Sequence, residues 1–573
     1  MGSMAHVLEV DTDDRIRSIG MDLIQVGLAA NIGDYGYIRL DPALPAYLGL
    51  TLTPEQQQHY RQRWTEVMGQ LVSFLYQQQI REGSVLGAQL TQLELPNLMA
   101  YLHQQMQALA AGQVTAEHLL EKTVRVEQLL ANLNQPQALQ QVVAWRRQAA
   151  QQLGEWSHAR YQNEDMNIDR LLQQGALQPA YEAAQALLQQ CQQAGEQAYQ
   201  GADYDLAMAQ FLLGRVLKTG GAAAAALPHL QQAQQRFEQL GERGASMASG
   251  ALTEQGDCLR NLGQLEAAAA AYEKAIEGFE QLDDKRSVAA GKGQLATTRM
   301  LQKRYADALQ GHQEALQLFQ QLDEPAMMAT AWHQIGMTQH QAGNYPQAEQ
   351  AYRQSLSIKS QQGNRAGEAS SLNELANLYV EWNRPEQAVS FYRQAADLYV
   401  QLGDLRYEGV VRSNLAQTLI HLQRYDQARP ELQRALECKQ AFGHAAEPWK
   451  TWSTLHDLEQ ASGNPQAAWA ARQQALEAFL AYRRDGGENH EDSGQLCRLI
   501  LQAIQSGQTD EIGQALAQMM DVPEMADKKS LIEKLQAILA GERDLALAED
   551  EGLDFDLAAE LILLLEGLRE AGI

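Results

Sequence analysis

Between residues 249 and 482 small and apolar positions return with a fixed spacing of 40 residues. The small position is held by Gly256, Ala296, Gly336, Ala376 and Ala416, and in the sixth copy by His456. Twelve residues on stand Ala268, Ala308, Ala348, Ala388, Ala428 and Ala468, and seven beyond those Ala275, Ala315, Ser355, Ala395, Ala435 and Ala475. Larger apolar residues keep the register: Leu295, Ile335, Leu375, Leu415 and Leu455 precede the small position, and Tyr272, Tyr352 and Tyr392 follow the first alanine by four residues. Two helices cross closely only where neither carries bulk, so these offsets predict a helical hairpin as the repeating unit. The second helix is predicted to open at Leu265, Tyr305, Tyr345, Pro385, Tyr425 and Pro465. Repeats are predicted to end at Leu282-Asp283, Leu322-Asp323, Gln362-Gly363, Leu402-Gly403 and Phe442-Gly443, where Gly or Asp lets the chain leave a helix. His456 marks a worn terminal repeat.

The regions around the array carry other periods. Residues 1–10 read as a tag or disordered start, Met1-Gly2-Ser3-Met4 having the look of a cloning scar. Residues 11–52 combine an amphipathic helix with a short β-hairpin over Asn31–Leu40. Residues 53–160 are helical without the repeat: Thr53 caps a helix opened by Pro54 and Glu55, and further helices are expected at 85–111, 115–132 and 136–158. The array spans 161–484 as about seven to eight hairpins; Gly214, Ala226 and Ala233 belong to it, with two extra residues expected near Gly220-Gly221. A Gly-rich charged linker covers 485–494, and 495–573 form a C-terminal helical set.

A net charge of −26 over 573 residues argues against a nucleic-acid backbone as partner and leaves a basic protein partner open. Cys191, Cys258, Cys438 and Cys497 lie far apart without a CxxC pair, which fits buried thiols in a reducing cytoplasm. There is no run of about 18 apolar residues to cross a membrane. Glu488, His490, Glu491 and Asp492 lack metal-site spacing and read as a solvated loop. GxxxxGK[ST], GxSxG and HExxH are all missing, and Gly291-Lys292-Gly293 falls within a repeat helix. No cofactor, metal or catalytic role is therefore expected, and His333 and His340, two turns apart, read as a surface pair.

Trp332, Ile335-Gly336, Ala348, Tyr352 and Ser355-Leu356 carry the pattern of the tetratricopeptide repeat family, which the array resembles. That resemblance implies an all-α, right-handed superhelical solenoid. The period of 40 in place of 34 is similar to the long-repeat branch that includes kinesin light chains. The stretch VGLAANIGDYGYIRLDPALPAYL is similar to the winged-helix segment that joins the nucleotide switch of STAND-class signalling ATPases (NACHT and NB-ARC members) to their repeats. A small hairpin closing the first helices is the other reading of these residues.

In this family the groove is lined by positions on either side of the small residue of the first helix. Carried over by register, they are Thr253, Glu254, Asp257 and Asn261; Gln294 and Thr297; His333, Gln334, Met337 and Gln341; Asn373, Glu374 and Asn377; and Ser413, Asn414, Gln417 and His421. Amide side chains both donate and accept hydrogen bonds and so suit the backbone of an extended peptide. Lys and Arg, which this family uses to hold an acidic C-terminus, are missing from these positions. The expected function is protein or peptide recognition along a concave face, in the ligand-sensing part of a bacterial STAND-type ATPase whose nucleotide core lies outside this chain. A constitutive adaptor resembling kinesin light chain, or the regulatory region of a caspase-like protease system, are the alternatives.

Overall fold

The computed structural model describes residues 18, 21–26, 29–32, 37–40, 51–81, 85–131, 133, 135–489, 492–520, 529–550 and 553–572. They divide into two compact units, Met1–Asp284 and Lys285–Ile573.

In the first unit β1 (Ala29–Ile32) pairs antiparallel with β2 (Tyr37–Leu40), Ala29 opposite Leu40 and Ile32 opposite Tyr37. The hairpin falls in the stretch expected to be β; most of the remaining winged-helix-like segment lies outside the described residues. Helix α1 (Pro54–Tyr76) begins with a capping box in which Thr53 Oγ1 accepts from the Gln56 N–H and the Gln56 side chain accepts from the Thr53 N–H. With α2 (Val85–Ala110), α3 (Ala116–Ala131) and α4 (Pro136–Ala150) it encloses a core of Val72, Leu75, Leu98, Leu102, Leu119, Leu130 and Val142. The Arg146 guanidinium, 1% exposed, is buried there against Glu127 at 2.6 Å and donates to the Asn163 carbonyl. One helix over 136–158 was the expectation; α4 instead stops at Ala150, Leu153 turns into the core, and α5 (His158–Gln173) starts anew after Gly154, a poor helix former.

Hairpins follow: α5 with α6 (Leu177–Ala194), α7 (Ala202–Thr219) with α8 (Ala223–Gln239), and α9 (Ala245–Asn261) with α10 (Leu265–Gln281). Left-handed glycines stand at Gly201, Gly221, Gly241 and Gly263. The two extra residues therefore sit in the 3₁₀ turn Gly241–Arg243 and not near Gly220-Gly221, since that turn is where the step lengthens.

The second unit continues with α11 (Lys285–Leu301), α12 (Tyr305–Gln321), α13 (Pro325–Gln341), α14 (Tyr345–Gln361), α15 (Arg365–Glu381), α16 (Pro385–Leu402), α17 (Leu405–His421), α18 (Tyr425–Gln440), α19 (Pro448–Ala461) and α20 (Pro465–Arg484). The predicted openings of the second helices at Tyr305, Tyr345, Pro385, Tyr425 and Pro465 are all observed. A finer period also emerges. Lys303, Asp323, Gly343, Gly363, Asn383, Gly403, Gln423, Gly443 and Gly463 all have positive φ, one residue in every 20. From α11 to α15, and again in α17, a 17-residue helix plus a three-residue turn makes the half-repeat. The turn is closed by the N–H after the left-handed residue, which reaches back five residues: Arg304 to Arg299 O at 2.9 Å, Asn344 to Gln339 O at 2.9 Å, Arg384 to Tyr379 O at 2.8 Å.

The terminal hairpin shows what its worn pattern serves. His456 Nδ1 meets the Ala468 carbonyl at 2.9 Å, so an imidazole occupies the crossing that Gly or Ala fills elsewhere. Arg472 donates to the carbonyls of Asp550 and Leu553, and Arg483 pairs with the buried Glu560. These contacts seat α20 against α24 (Phe555–Glu570), which shares a core with α21 (Asp492–Ser506), α22 (Thr509–Met519) and α23 (Lys529–Leu539) through Trp449, Phe479, Ile500, Leu535 and Leu561. Within the stretch expected as a linker, Asn489 is 7% exposed and donates to Glu560.

Candidate functional site

Three hairpins close by setting a large residue of the second helix on a glycine of the first, 16 positions earlier: Leu230 on Gly214, Tyr272 on Gly256 and Tyr352 on Gly336. A methyl on Gly336 would lie 2.6 Å from Tyr352 Cδ1, and one on Gly256 2.7 Å from Tyr272 Cε1, so glycine is what lets these rings lie flat on the neighbouring backbone. The rings are fully buried, which holds their phenol pKa far above the usual value.

In the first unit the face expected to line the groove carries internal ion pairs. Tyr272 donates to Asp257 at 2.6 Å, and Asp257 also takes Lys218 at 2.9 Å and Arg260 at 3.0 Å. Lys218 pairs with Glu254 as well. Thr253 bonds back to the Ser249 carbonyl, and Asn261 is exposed.

In the second unit the pattern breaks in two consecutive repeats. Tyr392 donates to Asn377 at 2.6 Å, as Tyr272 does to Asp257. The equivalent acceptor position for Tyr352 is Met337, and the Tyr352 hydroxyl has no partner. One repeat earlier the deep residue is His312, 1% exposed, whose Nε2 has no partner either. The residue across from it, Thr297, spends its hydroxyl on the Gly293 carbonyl. In α13 and α15 the buried atoms His333 Nδ1, Gln334 Oε1 and Asn373 Oδ1 are also unpartnered. The His333 ring lies 5.5 Å from that of Tyr352 and the His340 ring 6.4 Å. Burial lowers the pKa of both His312 and His333 to about 4, with Lys359 adding to the effect at His333, so both imidazoles are neutral at pH 7.

His333 and His340 are thus not the surface pair expected: the first is packed on Tyr352, and the second meets Glu381 at 2.8 Å. Of the other expected groove residues, Gln294, Glu374 and Asn414 are half-buried, and Gln341, Gln417 and His421 are exposed. Ser413 bonds back to Gly409 O and touches Thr451. Two residues escaped sequence reasoning. Lys359 and Lys439 stand where Phe319, Tyr399 and Phe479 stand in other repeats of this unit, and they donate to Ser371 at 2.9 Å and Thr451 at 2.8 Å. Burial lowers the pKa of both amines. Aligning the second helices on their large apolar positions would have shown the substitution.

All four cysteines are buried as free thiols. Among the described residues no cluster of metal-ligating side chains occurs and no helix is long and apolar enough to cross a membrane. What remains is a set of helical hairpins presenting polar side chains from their first helices, a repeat-protein architecture. Family models described as tetratricopeptide repeat match residues 249–277, 287–361, 327–400 and 410–445.

Several solved structures are similar in fold. A STAND-class signal-transduction ATPase with a tetratricopeptide repeat sensor from Pyrococcus horikoshii is 12% identical, with a TM-score of 0.47; the match covers 85% of this chain and 62% of that one. A Rap protein complexed with Competence and Sporulation Factor is 14% identical over 64% of this chain and 99% of its own, with a TM-score of 0.39. The repeats of a kinesin light chain from Podospora anserina are 14% identical over 34% of this chain and 96% of theirs, with a TM-score of 0.31. At such identities the likeness concerns fold alone. No curated protein matches in sequence.

Proposed function

We propose that the protein is a peptide-recognition array that binds an extended segment of a partner protein along the first helices of its repeats, and that it serves as the ligand-sensing part of a STAND-type signalling ATPase. The observation that carries the binding role is the run of buried polar atoms without partners in α13–α15: Tyr352 Oη, His333 Nδ1, Gln334 Oε1 and Asn373 Oδ1. A buried hydrogen-bonding group left unmade costs about 1–3 kcal/mol, so a ligand that completes these bonds recovers that cost on binding. Asn373, Asn377 and Asn414 recur on the same helix face and can pair with either strand-like backbone group. The sensor assignment rests on the sequence around the β1–β2 hairpin, which resembles the segment before the repeats in that class. The binding role is tested by capture of partners from cells with wild type and with Asn373→Ala/Asn414→Ala. Loss of most captured partner from the variant is expected; unchanged capture contradicts the reading. A phosphate-binding loop encoded upstream of residue 10 supports the sensor role, and a caspase-like module there supports the protease-linked alternative.

A further inference from the structure

We infer that the start of α17 is an anchor site of the peptide groove, which takes a large apolar side chain of the bound segment with an acidic residue next to it. The inference rests on the peptide-binding reading above and says what sort of segment fits.

Single exposed apolar residues are ordinary on a protein surface, whereas a concentration of them marks a docking place. Val400, Leu402, Leu405, Tyr407 and Val410 are all exposed, and they fall within a short stretch about the turn between α16 and α17. Tyr407 and Val410 lead Asn414, Gln417 and His421 at steps of three and four, which puts all five on one face of α17. The apolar surface therefore runs into the row of expected groove residues. In the repeats before it, the position of Tyr407 holds Gly367, Met327 and Ser287, and that of Val410 holds Ser370, Thr330 and Ala290. The hairpin itself thus has no need of Tyr and Val here. Tyr407 is 55% exposed and Val410 43%. The Tyr407 ring is stacked on the buried Tyr399, with centroids 5.5 Å and planes 20° apart, and its backbone N–H donates to the Asp404 carboxylate at 3.1 Å. A ring already held in place loses little freedom when an apolar group packs on it.

The acids at this end of the helix are engaged within the protein. Asp404 takes the Tyr407 N–H, and the buried Glu408 takes Arg412 and Arg434, each at 2.8 Å. Arg406 is exposed and pairs with no carboxylate among the described residues. The N-terminus of α17 adds its partial positive charge. A carboxylate beside the apolar anchor is therefore attracted here, although the chain as a whole carries −26. A second copy of the chain would have to bring that whole charge against the first, and a short segment does not, so the occupant is the peptide.

The test uses the full chain and a bead-displayed library of random dodecapeptides, read as residue enrichment after alignment of the retained sequences. The chains compared are wild type, Tyr407→Ser/Val410→Ser, Arg406→Glu, Asn373→Ala/Asn414→Ala, and Trp469→Ser, which removes an equally exposed aromatic from the second helix of another hairpin. Wild type is expected to enrich one position in large apolar residues over Ser and Gly by about tenfold, with Asp or Glu adjoining it. Tyr407→Ser/Val410→Ser should lose the apolar preference, and Arg406→Glu should lower the acidic enrichment about threefold while keeping the apolar one. Trp469→Ser should match wild type. All the substituted side chains of the anchor are exposed, so circular dichroism and the urea midpoint should stay near wild type; if the double variant does not fold, Arg406→Glu still reads the site. An apolar preference that survives Tyr407→Ser/Val410→Ser or is lost equally in Trp469→Ser, or an acidic enrichment unmoved by Arg406→Glu, overturns the anchor while the groove stands. So does a wild-type dimer by light scattering that Tyr407→Ser/Val410→Ser dissociates, which would give the patch to a second copy. Failure of wild type to retain any peptide, or retention indifferent to Asn373→Ala/Asn414→Ala, overturns the groove reading and the anchor as part of it.

Discussion

The hydroxyl of Tyr352 has no hydrogen-bond partner because Met337 stands where Asp257 and Asn377 stand for Tyr272 and Tyr392. Three tyrosines in one structural position therefore respond differently to loss of the hydroxyl. Tyr272→Phe removes a hydrogen bond to a charged acceptor, which keeps Lys218 and Arg260, and should cost about 1.5 kcal/mol, and Tyr392→Phe about 1 kcal/mol. Tyr352→Phe removes an unsatisfied polar atom and should leave stability within about 0.5 kcal/mol or raise it. Urea unfolding of the three variants checks the order; equal losses would mean that Tyr352 is satisfied after all.

Acid should weaken the second unit through His312. Its pKa is held at about 4 by burial, against about 6.5 in an unfolded chain. Between those values the unfolded chain carries a proton that the folded chain refuses, so stability rises with pH across the window and is lost as pH falls through it. Going from pH 7 to pH 5 should cost about 2 kcal/mol at this residue. His333 acts in the same direction. In the first unit Asp165 acts oppositely, because burial raises its pKa to about 7 and the folded state holds the proton that the unfolded chain releases above about 4. His312→Leu, which copies the Leu432 that the array places beside Ala416, should flatten the acid dependence of the second unit and raise its midpoint at pH 5. An unchanged pH profile would contradict the buried neutral imidazole.

Lys303 and Gln423 adopt φ of 62° and 56° at the turn position that Gly343 and Gly463 fill in sister repeats. A side chain in the left-handed region is strained, and glycine is not. Lys303→Gly and Gln423→Gly should each stabilise the array by about 0.5–1 kcal/mol, although glycine's greater freedom in the unfolded chain offsets part of that gain. Differential scanning calorimetry gives the answer; a lowered midpoint in both would show that unfolded-state entropy outweighs turn strain here.

Much of the hairpin array could be read from residue order because close helix crossings tolerate only small residues, and that constraint prints itself at Gly336 and Ala348 as it does at Gly256 and Ala268. Turns were half legible. Gly363 and Gly403 announce their backbone conformation, whereas Lys303, Asn383 and Gln423 reach the same conformation through the geometry of the helices they join. The end of α4 at Ala150 was hidden because the following residues keep a helical polarity pattern, and only the burial of Leu153 breaks it. At the site, His333, Gln334 and Asn373 were found by register alone. The status of Tyr352 was not, since an apolar reading of tyrosine hides the hydroxyl, and whether that hydroxyl is satisfied depends on a residue of another helix. His333 was misjudged for the same reason: its two-turn spacing to His340 says which face it shares and nothing of the ring packed against it.

The binding role depends on partner segments running along the first helices of the repeats. A photoreactive amino acid placed at Met337, on that face, and separately at the exposed Gln354 of α14 puts this to the test. After irradiation in cells and mass spectrometry, peptide adducts are expected at position 337 and none above background at position 354. Adducts at 354 with none at 337 would contradict the binding mode.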